Sequence, residues 1–420
     1  MHAIQVLETY NFWNGTLVDC GHLRPQYLEK IEAYLGNRLV KVILGQRRSG
    51  KSYLLRMVIR HLQEALDVPL KNILYINKDL HEFDFIRDEE SLIEIIATYR
   101  QHMQPEGKVY LFLDEVQEIN GWEKVVNSLS QNYKEAYEIF ITGSNAHLLS
   151  QELGTYLSGR YVEFYVFPLS YTEYLAFKNV ERKKETFLDY LKIGGIPELY
   201  TLHTLEMKKN YIQSLKDSIV LRDVIHRHAV RDVFLLEKLV DYITDSVGSL
   251  FSITSIVNTL KSKGYKSNYE TIASYLKYLE GAFYIHECPR FDLRGKRLLV
   301  GERKYYLNDL GFKYFLTSSF DKGFNRFLEN LVFLDLKRKG YTLYTGRLGE
   351  KEIDFIAEKG SERIYVQVAY VMPDQVVFER EFGNLAEISD HYPKYVVTLD
   401  DVSFGNKEGI QHQLAWEWLD

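Results

Sequence analysis

The chain has 420 residues, of which 46% are hydrophobic and 26% charged, and its formal net charge is −6. This length exceeds a single hydrophobic core and predicts about two to four domains. The acidic balance argues against a largely basic surface, although one domain can still carry a basic patch. Cys20 and Cys288 lie far apart, which argues against a disulfide framework, and no apolar run is long enough to cross a membrane. Residues 1–19 lack the pattern of a secretory signal, so we expect a cytoplasmic protein.

A glycine-rich loop follows the first predicted strand. Residues 39–44 are apolar and β-branched, as in a buried strand, and residues 53–62 carry apolar side chains at helical spacing. The sequence between them fits the pattern Gly, any four residues, Gly-Lys-Ser/Thr. A chance glycine turn before a helix is the alternative. Strand, loop and helix together predict a P-loop.

The predicted P-loop would bind ATP with Mg²⁺. Its glycines let successive backbone N–H groups point at phosphate oxygens, and the helix N-terminus adds partial positive charge. Lys51 would reach the β- and γ-phosphates, and the Ser52 hydroxyl would ligate Mg²⁺. The predicted nucleotide-binding residues are Gly45, Gln46, Arg47, Arg48, Ser49, Gly50, Lys51, Ser52 and Tyr53.

A second polar motif ends the apolar run of residues 109–113, where Asp114 and Glu115 follow. Two adjacent acids at the carboxyl end of a buried parallel strand are costly unless they hold metal or take part in chemistry. A strand that simply runs into a polar loop is the alternative. Because the motif follows a P-loop, we expect Asp114 to hold Mg²⁺, directly or through water, and Glu115 to polarise the attacking water in ATP hydrolysis.

Residues 137–145 predict another buried strand, which ends in the small polar residues Ser144 and Asn145. These side chains could contact the γ-phosphate or the attacking water, and a helix N-cap is the alternative. Strands and helices alternate through this region, which is typical of a parallel α/β sheet with helices on both faces. Ligands of such sheets bind at the carboxyl ends of the strands, where all three motifs fall.

Five motifs occur in a fixed order along the first half of the chain. They are residues 45–52, Leu113-Asp114-Glu115-Val116-Gln117, Thr142-Gly143-Ser144-Asn145, Leu157-Ser158-Gly159-Arg160 and Phe167-Pro168-Leu169-Ser170. In this order they resemble the AAA-type ATP-binding proteins of bacteria and archaea (AAA_14) whose C-terminal part is a DUF4143-like, nuclease-related domain. The resemblance implies an AAA+ core, ATP with Mg²⁺, and assembly into a homo-oligomer.

The resemblance also implies roles for two elements beyond these strands. In such ATPases an arginine from a neighbouring subunit often completes the site, and Arg160 matches the family's Ser-Gly-Arg element. Such an arginine neutralises charge on the transferring phosphoryl group, whereas a surface arginine in a turn is the alternative. Gly194-Gly195-Ile196-Pro197 is similar to an element of the family's helical lid that senses nucleotide state. By itself this sequence indicates only a helix stop followed by a helix start.

Residues 233–322 resemble a winged helix-turn-helix, because three helical patterns precede two strand-like runs. The helices are predicted over 234–247, 255–260 and 269–280, and the strands over 283–291 and 303–307. The connection between the strands is basic and could lie on DNA phosphates without reading bases. A solvated hairpin and a domain for protein contacts are the alternatives. The predicted DNA contacts are Arg290, Arg294, Lys296 and Arg297, and the wing also carries Arg303 and Lys304.

The last hundred residues resemble the restriction-endonuclease-like fold. The chemistry of that fold needs an Asp and a Glu on adjacent strands for metal, and a Lys two residues beyond the Glu to orient water. Asp354 is present and Glu329 matches a helical acid of the family, but Gln367 stands at the Glu position and Ala369 at the Lys position. Losing the ligand charge and the lysine predicts an inactive remnant that serves in binding or assembly.

The complete prediction is an α/β protein in five parts. These are a lead-in helix over 1–36, an AAA+-type P-loop core over 37–178, a helical lid over 179–232, a winged-helix-like domain over 233–322 and a restriction-endonuclease-like domain over 323–420. We expect an ATPase whose nucleotide cycle gates a C-terminal half that binds DNA or a protein client. The alternatives are an ATP-regulated, metal-dependent DNA nuclease and a nucleotide-switched scaffold with negligible hydrolysis.

Overall fold

The computed structural model describes residues 2–15, 19–145, 154–157, 159–317 and 323–420. The chain forms two compact units, Met1–Val166 and Phe167–Asp420. The five-part division predicted from the sequence, with boundaries after residues 178, 232 and 322 in the second unit, is finer than these two units and stays a prediction. No helix in the described ranges is long and apolar enough to cross a membrane.

A five-stranded parallel sheet forms the centre of the first unit, in the order β2-β3-β4-β1-β5. Its strands are β1 Val40–Leu44, β2 Ile73–Asn77, β3 Val109–Asp114, β4 Tyr137–Gly143 and β5 Tyr161–Tyr165. The flanking helices are α1 His2–Tyr10, α2 Pro25–Glu32, α3 Lys51–Glu64, α4 Glu89–Met103 and α5 Trp122–Ser130. The predicted parallel α/β core is therefore confirmed, whereas helix α1 has no counterpart in the predicted lead-in.

Burial on both faces explains the nearly continuous apolar runs of the central strands. Every residue of β1 and β4 is buried. Helix α3 turns a regular apolar face to this sheet, and its Leu54, Val58 and Leu62 belong to the same core cluster as Ile43 and Phe140. Because β1, β3 and β4 are parallel neighbours, the segments that follow them share one edge of the sheet.

Helices form the first part of the second unit. They are α6 Tyr171–Lys178, α7 Lys184–Ile193, α8 Leu205–Ser218, α9 Val233–Asp245, α10 Ile253–Ser262, α11 Tyr269–Gly281 and α12 Gly311–Leu316, and a π-helix covers Ile219–His226. The three helices predicted for the winged helix-turn-helix segment correspond to α9, α10 and α11, with ends shifted by one or two residues.

A nine-stranded mixed sheet forms the rest of the second unit, in the order β13-β14-β12-β11-β10-β9-β7-β8-β6. The strands are β6 Leu250–Ser252, β7 Ile285–Asp292, β8 Arg297–Leu307, β9 Thr342–Leu348, β10 Lys351–Lys359, β11 Glu362–Ala369, β12 Lys394–Thr398, β13 Asn406–Lys407 and β14 Ile410–Leu414. The remaining helices are α13 Phe324–Arg338, α14 Gln375–Ala386 and α15 Ala415–Trp418.

The predicted hairpin exists, but it is not a separate wing. Strand β7 pairs in parallel with β9, with Arg290 opposite Thr345 and Phe291 opposite Gly346. The hairpin thus continues the sheet of the predicted nuclease-like part, and one core cluster extends from Phe167 to Leu419. The physical reason is that an unpaired strand edge leaves backbone hydrogen-bonding groups open, and pairing β7 with β9 satisfies them.

Candidate active site

Two glycines shape the loop between β1 and α3. A Cβ atom at Gly45 would lie 2.2 Å from the carbonyl oxygen of Val166, so no side chain fits there. Gly50 is the N-cap of α3 at φ +94°, in the left-handed region that favours glycine. The N–H of Ser49 donates to the carbonyl of Gln46 at 3.2 Å and closes the turn. The loop therefore has the compact form expected of a phosphate-binding loop.

Lys51 lies inside this loop. Its side chain is buried, and its ammonium donates to the carbonyl oxygens of Gly45 at 3.1 Å and Gln46 at 3.3 Å. The same ammonium forms an ion pair with Oε1 of Glu115 at 3.2 Å. The loop lysine and the second acid of the Asp114-Glu115 motif thus meet in one buried cluster.

Asp114 lies at the end of β3 and is completely buried. The Tyr75 hydroxyl donates to its Oδ2 at 2.8 Å and the Thr142 hydroxyl to its Oδ1 at 2.5 Å. Burial and then the charge of Glu115 raise the pKa of Asp114, whereas hydrogen bonds from Thr142, Ser52 and Tyr75 oppose this shift. The bond from Ser52 brings together the two predicted Mg²⁺ ligands.

Glu115 has a left-handed backbone at φ +56°, which is uncommon for a residue other than glycine. Its N–H donates to Oγ1 of Thr142 at 2.8 Å, and the Gln117 amide donates to its carboxylate. Burial opposes ionisation, but the charge of Lys51, with the bond from Gln117, outweighs it and lowers the pKa of Glu115. An ionised carboxylate here has the protonation state that a general base needs.

The residues present fit a nucleotide with Mg²⁺. The Ser49 hydroxyl is buried and has no hydrogen-bond partner among the described residues. Helix α3 begins without a side-chain cap, so its first N–H groups face the loop without a competing carboxylate or hydroxyl. Lys51 supplies a positive charge for phosphate, while Ser52 and Asp114 supply the hard oxygen ligands that Mg²⁺ prefers.

The other predicted loop residues differ in exposure. Gln46 is buried, Arg47 is half-buried and Arg48 is exposed. Tyr53 is 43% exposed, and the Arg56 guanidinium lies 4.4 Å from the centre of its ring. Ser144 and Asn145 are fully buried directly after β4, beside the strand that ends in Asp114. Their roles toward phosphate or water stay predictions.

Sequence reasoning missed two residues that support the loop. Thr142 holds the backbone of Glu115 and the carboxylate of Asp114 with one hydroxyl. Arg24 is buried, and its guanidinium donates to the carbonyl of Ser49 at 2.9 Å. The position of Thr142 one residue before Gly143-Ser144 was a usable signal, because it ends the strand beside the acids. Arg24 offered no signal, since it lies far from the loop in sequence.

Arg160 lies away from this cluster in its own chain. It precedes β5, and β5 runs parallel to β1, so Arg160 is at the opposite edge of the sheet from the P-loop. Its guanidinium donates to Oδ1 of Asn127 at 3.3 Å, and the residue is exposed. A contribution to the site of another subunit stays a prediction.

The predicted lid motif is fixed by a buried acid. Asp309 accepts hydrogen bonds from the N–H groups of Gly195 at 2.6 Å and Gly311 at 2.8 Å. Burial raises the pKa of Asp309 to about 7, although these N–H groups oppose the shift. The loop after α7 is therefore held by residues more than a hundred positions away, a contact that its sequence does not indicate.

Half of the six cations of the predicted basic wing are paired with acids. Arg290 pairs with Glu302, and Arg303 pairs with Glu287 at 3.0 Å. Lys304 is only 3% exposed, so it does not contribute to a solvent-facing basic surface. The alternation of β8 turns Lys304 inward, where burial requires paired charge. The cations that remain exposed lie at the connection of the hairpin: Arg294, Lys296 and Arg297.

The nuclease-like residues meet in a second lysine cluster. Glu329 of α13 and Asp354 of β10 lie 2.7 Å and 3.7 Å from the ammonium of Lys304. The side chain of Gln367 reaches the N–H of Asp354 at 3.4 Å. Sequence reasoning assembled Glu329, Asp354 and Gln367 but missed Lys304, together with Glu352, whose Oε1 lies 2.8 Å from the same ammonium.

Comparisons with known proteins support the first unit as an AAA-type domain. A family model described as an AAA domain (AAA_14) matches residues 37–175. A second model, described as a domain of unknown function (DUF8612), matches residues 184–322. The matching model downstream of the AAA domain is thus DUF8612, which corrects the expected DUF4143-like part.

Two relatives align over most of the chain. An uncharacterized protein of Haemophilus influenzae is 36% identical over 400 residues, which cover 94% of this chain and 98% of that protein. Uncharacterized protein MJ1544 of Methanocaldococcus jannaschii is 32% identical over 358 residues, 81% of this chain and 76% of that protein. Among solved structures, the Walker-type ATPase PABY2304 of Pyrococcus abyssi covers 70% of this chain and 96% of its own, with 16% identity and a TM-score of 0.43. A TM-score of 0.43 is too low to support an inference from this structural alignment.

Proposed function

The chain belongs to the family of these Haemophilus influenzae and Methanocaldococcus jannaschii proteins, and we propose that its first unit binds ATP with Mg²⁺ and hydrolyses it to ADP and phosphate. The observation that carries the proposal is the meeting of Lys51, Ser52, Asp114 and Glu115 at the carboxyl edge of the parallel sheet. A phosphate loop supports binding alone, whereas a buried, ionised glutamate beside it supports hydrolysis.

In the proposed mechanism, the loop N–H groups and Lys51 bind the phosphates, and Ser52 and Asp114 hold Mg²⁺. The metal, when bound, neutralises charge on the phosphoryl group. Glu115 and Lys51 form an ion pair at 3.2 Å, so a bound phosphate would compete with Glu115 for the Lys51 ammonium. Releasing that ion pair frees the Glu115 carboxylate to orient and deprotonate the attacking water.

A glutamine substitution separates binding from turnover. We expect Glu115→Gln to bind ATP within a few-fold of the wild type while phosphate release falls by about 10²–10⁴-fold, the usual contribution of a general base. Glu118→Gln is the matched control, since Glu118 lies on the same loop but is exposed. Equal turnover in Glu115→Gln and Glu118→Gln would exclude hydrolysis by this mechanism. Negligible turnover by the wild type would favour the nucleotide-switched scaffold.

We also propose that the second unit provides the binding half that the nucleotide cycle controls, with DNA as its ligand. The support is the exposed cationic connection of the hairpin, where Arg294, Lys296 and Arg297 lie next to one another in sequence. Replacing each with Ala should reduce the salt dependence of DNA affinity by about one unit of slope per cation. Arg303→Ala is the control, because Arg303 is already paired with Glu287. DNA affinity that ignores all three changes would favour a protein ligand.

Assembly belongs to the same proposal. The support is the family's Ser-Gly-Arg element and the exposed position of Arg160 at the sheet edge opposite the P-loop. A site shared between subunits makes turnover per chain rise with protein concentration. Mixing Arg160→Ala with Glu115→Gln chains should then restore part of the turnover that each lacks alone.

A further inference from the structure

The resemblance of residues 323–420 to the restriction-endonuclease-like fold implies a divalent cation. Its ligands would be Glu329, Asp354 and residue 367, with a lysine at position 369 to orient water. The side chains at these positions can be tested for fit, because all of them lie in described parts of the chain. Ala369 packs in an apolar cluster with Ile353 and Tyr365, so this position supplies no cation.

A lysine from another strand occupies the space between the acids. Lys304 projects from β8, and its ammonium lies 2.7 Å from Oε1 of Glu329, 2.8 Å from Oε1 of Glu352 and 3.7 Å from Oδ1 of Asp354. Its side chain is 4% exposed. Three carboxylates from α13 and β10 therefore surround one buried ammonium from a third element.

Several oxygens of these acids already accept hydrogen bonds from protein donors. The Tyr306 hydroxyl donates to Oε1 of Glu329 at 2.6 Å, beside the bond from Lys304. Oδ2 of Asp354 accepts the N–H of Val368 at 2.8 Å. The side-chain oxygen Oε1 of Gln367 accepts the N–H of Asp354 at 3.4 Å. No group of three or more His, Cys, Asp or Glu side chains in the described ranges is arranged to hold a metal ion.

Two cations from the protein already face the acids of this cluster. Burial alone would lower the pKa of Lys304, but Glu329, Asp354 and Glu352 outweigh it and keep the lysine charged. Glu352 also faces Arg290 at 3.8 Å. Lys304 and Arg290 thus supply positive charge to these acids without a divalent cation.

We propose that the ammonium of Lys304 takes the place of the divalent cation, so that the nuclease-like residues form a metal-independent salt bridge joining β8, α13 and β10. Because α13 and β10 belong to the predicted nuclease-like part and β8 to the predicted wing, this salt bridge fastens the hairpin to the sheet.

The competing interpretation is that Lys304 is the water-orienting lysine of an intact metal site. The two interpretations differ in how the wild-type protein responds to Mn²⁺. We expect that Mn²⁺ does not stabilise the nucleotide-free wild-type protein against thermal unfolding through this cluster. Any change in melting temperature caused by Mn²⁺ should therefore be the same in the wild type and in Asp354→Asn. Mn²⁺ stabilisation that disappears in Asp354→Asn would overturn the proposal, and this arm needs no variant of Lys304.

A second arm removes the internal cation. Lys304→Met leaves three acids facing one another, so we expect a lower melting temperature that millimolar Mn²⁺ raises again. Lys351→Met is the matched control, because Lys351 is an ion-paired lysine of the same sheet but is 41% exposed, and its melting temperature should stay near that of the wild type with or without Mn²⁺. A Lys304→Met protein as stable as the wild type would contradict the role of the ammonium.

Discussion

In each unit of the molecule a predicted site contains a buried lysine that faces carboxylates, and the two environments differ in what else the lysine touches. Lys51 faces one carboxylate, from Glu115, and two backbone carbonyls of a glycine loop. Lys304 faces three carboxylates and no loop. The first ammonium can exchange its partners for phosphate, since carbonyls and one acid are weak competitors. The second is held by three carboxylates, and two of these, Glu329 and Asp354, belong to the predicted metal-ligand set.

A lysine next to acids is therefore not sufficient for a catalytic site. At Lys51 a helix N-terminus and a buried Ser49 hydroxyl provide unfilled bonding capacity. Around Lys304, Oε1 of Glu329 accepts a hydrogen bond from the Tyr306 hydroxyl, and Oδ2 of Asp354 accepts one from the N–H of Val368. Buried charge is tolerated in both places because it is paired, but the first cluster adds a helix N-terminus and an unbonded Ser49 hydroxyl that a ligand can use.

A third buried lysine offers a strong test, because it has no proposed chemistry. Lys41 is fully buried and pairs with Glu138 at 2.7 Å. Lys41→Met removes the buried cation from that acid, which keeps Lys108 and the N–H of Gly36, and should lower the free energy of unfolding by about 3–5 kcal/mol, while ATP affinity of the folded protein stays unchanged. Chemical unfolding measures this change. Lys71→Met, which removes a surface ion pair to Glu106, should cost about 1 kcal/mol or less.

Acid should weaken the second unit through the buried side chain of His286. Burial, followed by the charge of Lys337, lowers the pKa of His286 to about 3 from 6.5. The unfolded chain then binds the extra proton between these values, so stability is lost as pH falls from about 6.5 toward 3, by about 1.4 kcal/mol per pH unit.

His286→Gln should flatten that slope, because glutamine does not titrate and can still bond with Asn308, whose Oδ1 lies 2.8 Å from the ring nitrogen. Unfolding by urea across this pH range measures the slope. A slope unchanged in His286→Gln would assign the acid response to another group.

The smallest expected effect concerns how the acids of the first unit are held. Thr142→Val removes the hydroxyl that bonds both Asp114 and the N–H of Glu115. We expect turnover to fall about tenfold, or about 1.4 kcal/mol, with little change in ATP affinity. Thr98→Val is the control, since its hydroxyl bonds only a carbonyl of its own helix. Loss of ATP affinity in Thr142→Val would show instead that the threonine shapes the binding loop.

The sequence was most informative where function depends on neighbours in the chain. The P-loop, Asp114-Glu115 and the strand before Ser144 are contiguous motifs, and parallel pairing alone brings their ends together. Lys304, Glu329 and Glu352 come from three elements whose pairing no local pattern indicates. The hairpin was recognised as two strands, but its parallel pairing to β9 depends on a strand that starts fifty residues later along the chain. The burial of Lys304 could therefore not be predicted from its place in the wing.

Phosphate release from Mg·ATP by the wild type, Lys51→Met and Lys304→Met, at a temperature where all three are folded, tests the division between the two clusters most directly. We expect Lys51→Met to lose turnover by roughly 10²–10³-fold, because the substitution removes a charge that stabilises the transition state. Lys304→Met should stay within a few-fold of the wild type. Equal losses in both variants, or full turnover in Lys51→Met, would contradict this division between the two clusters.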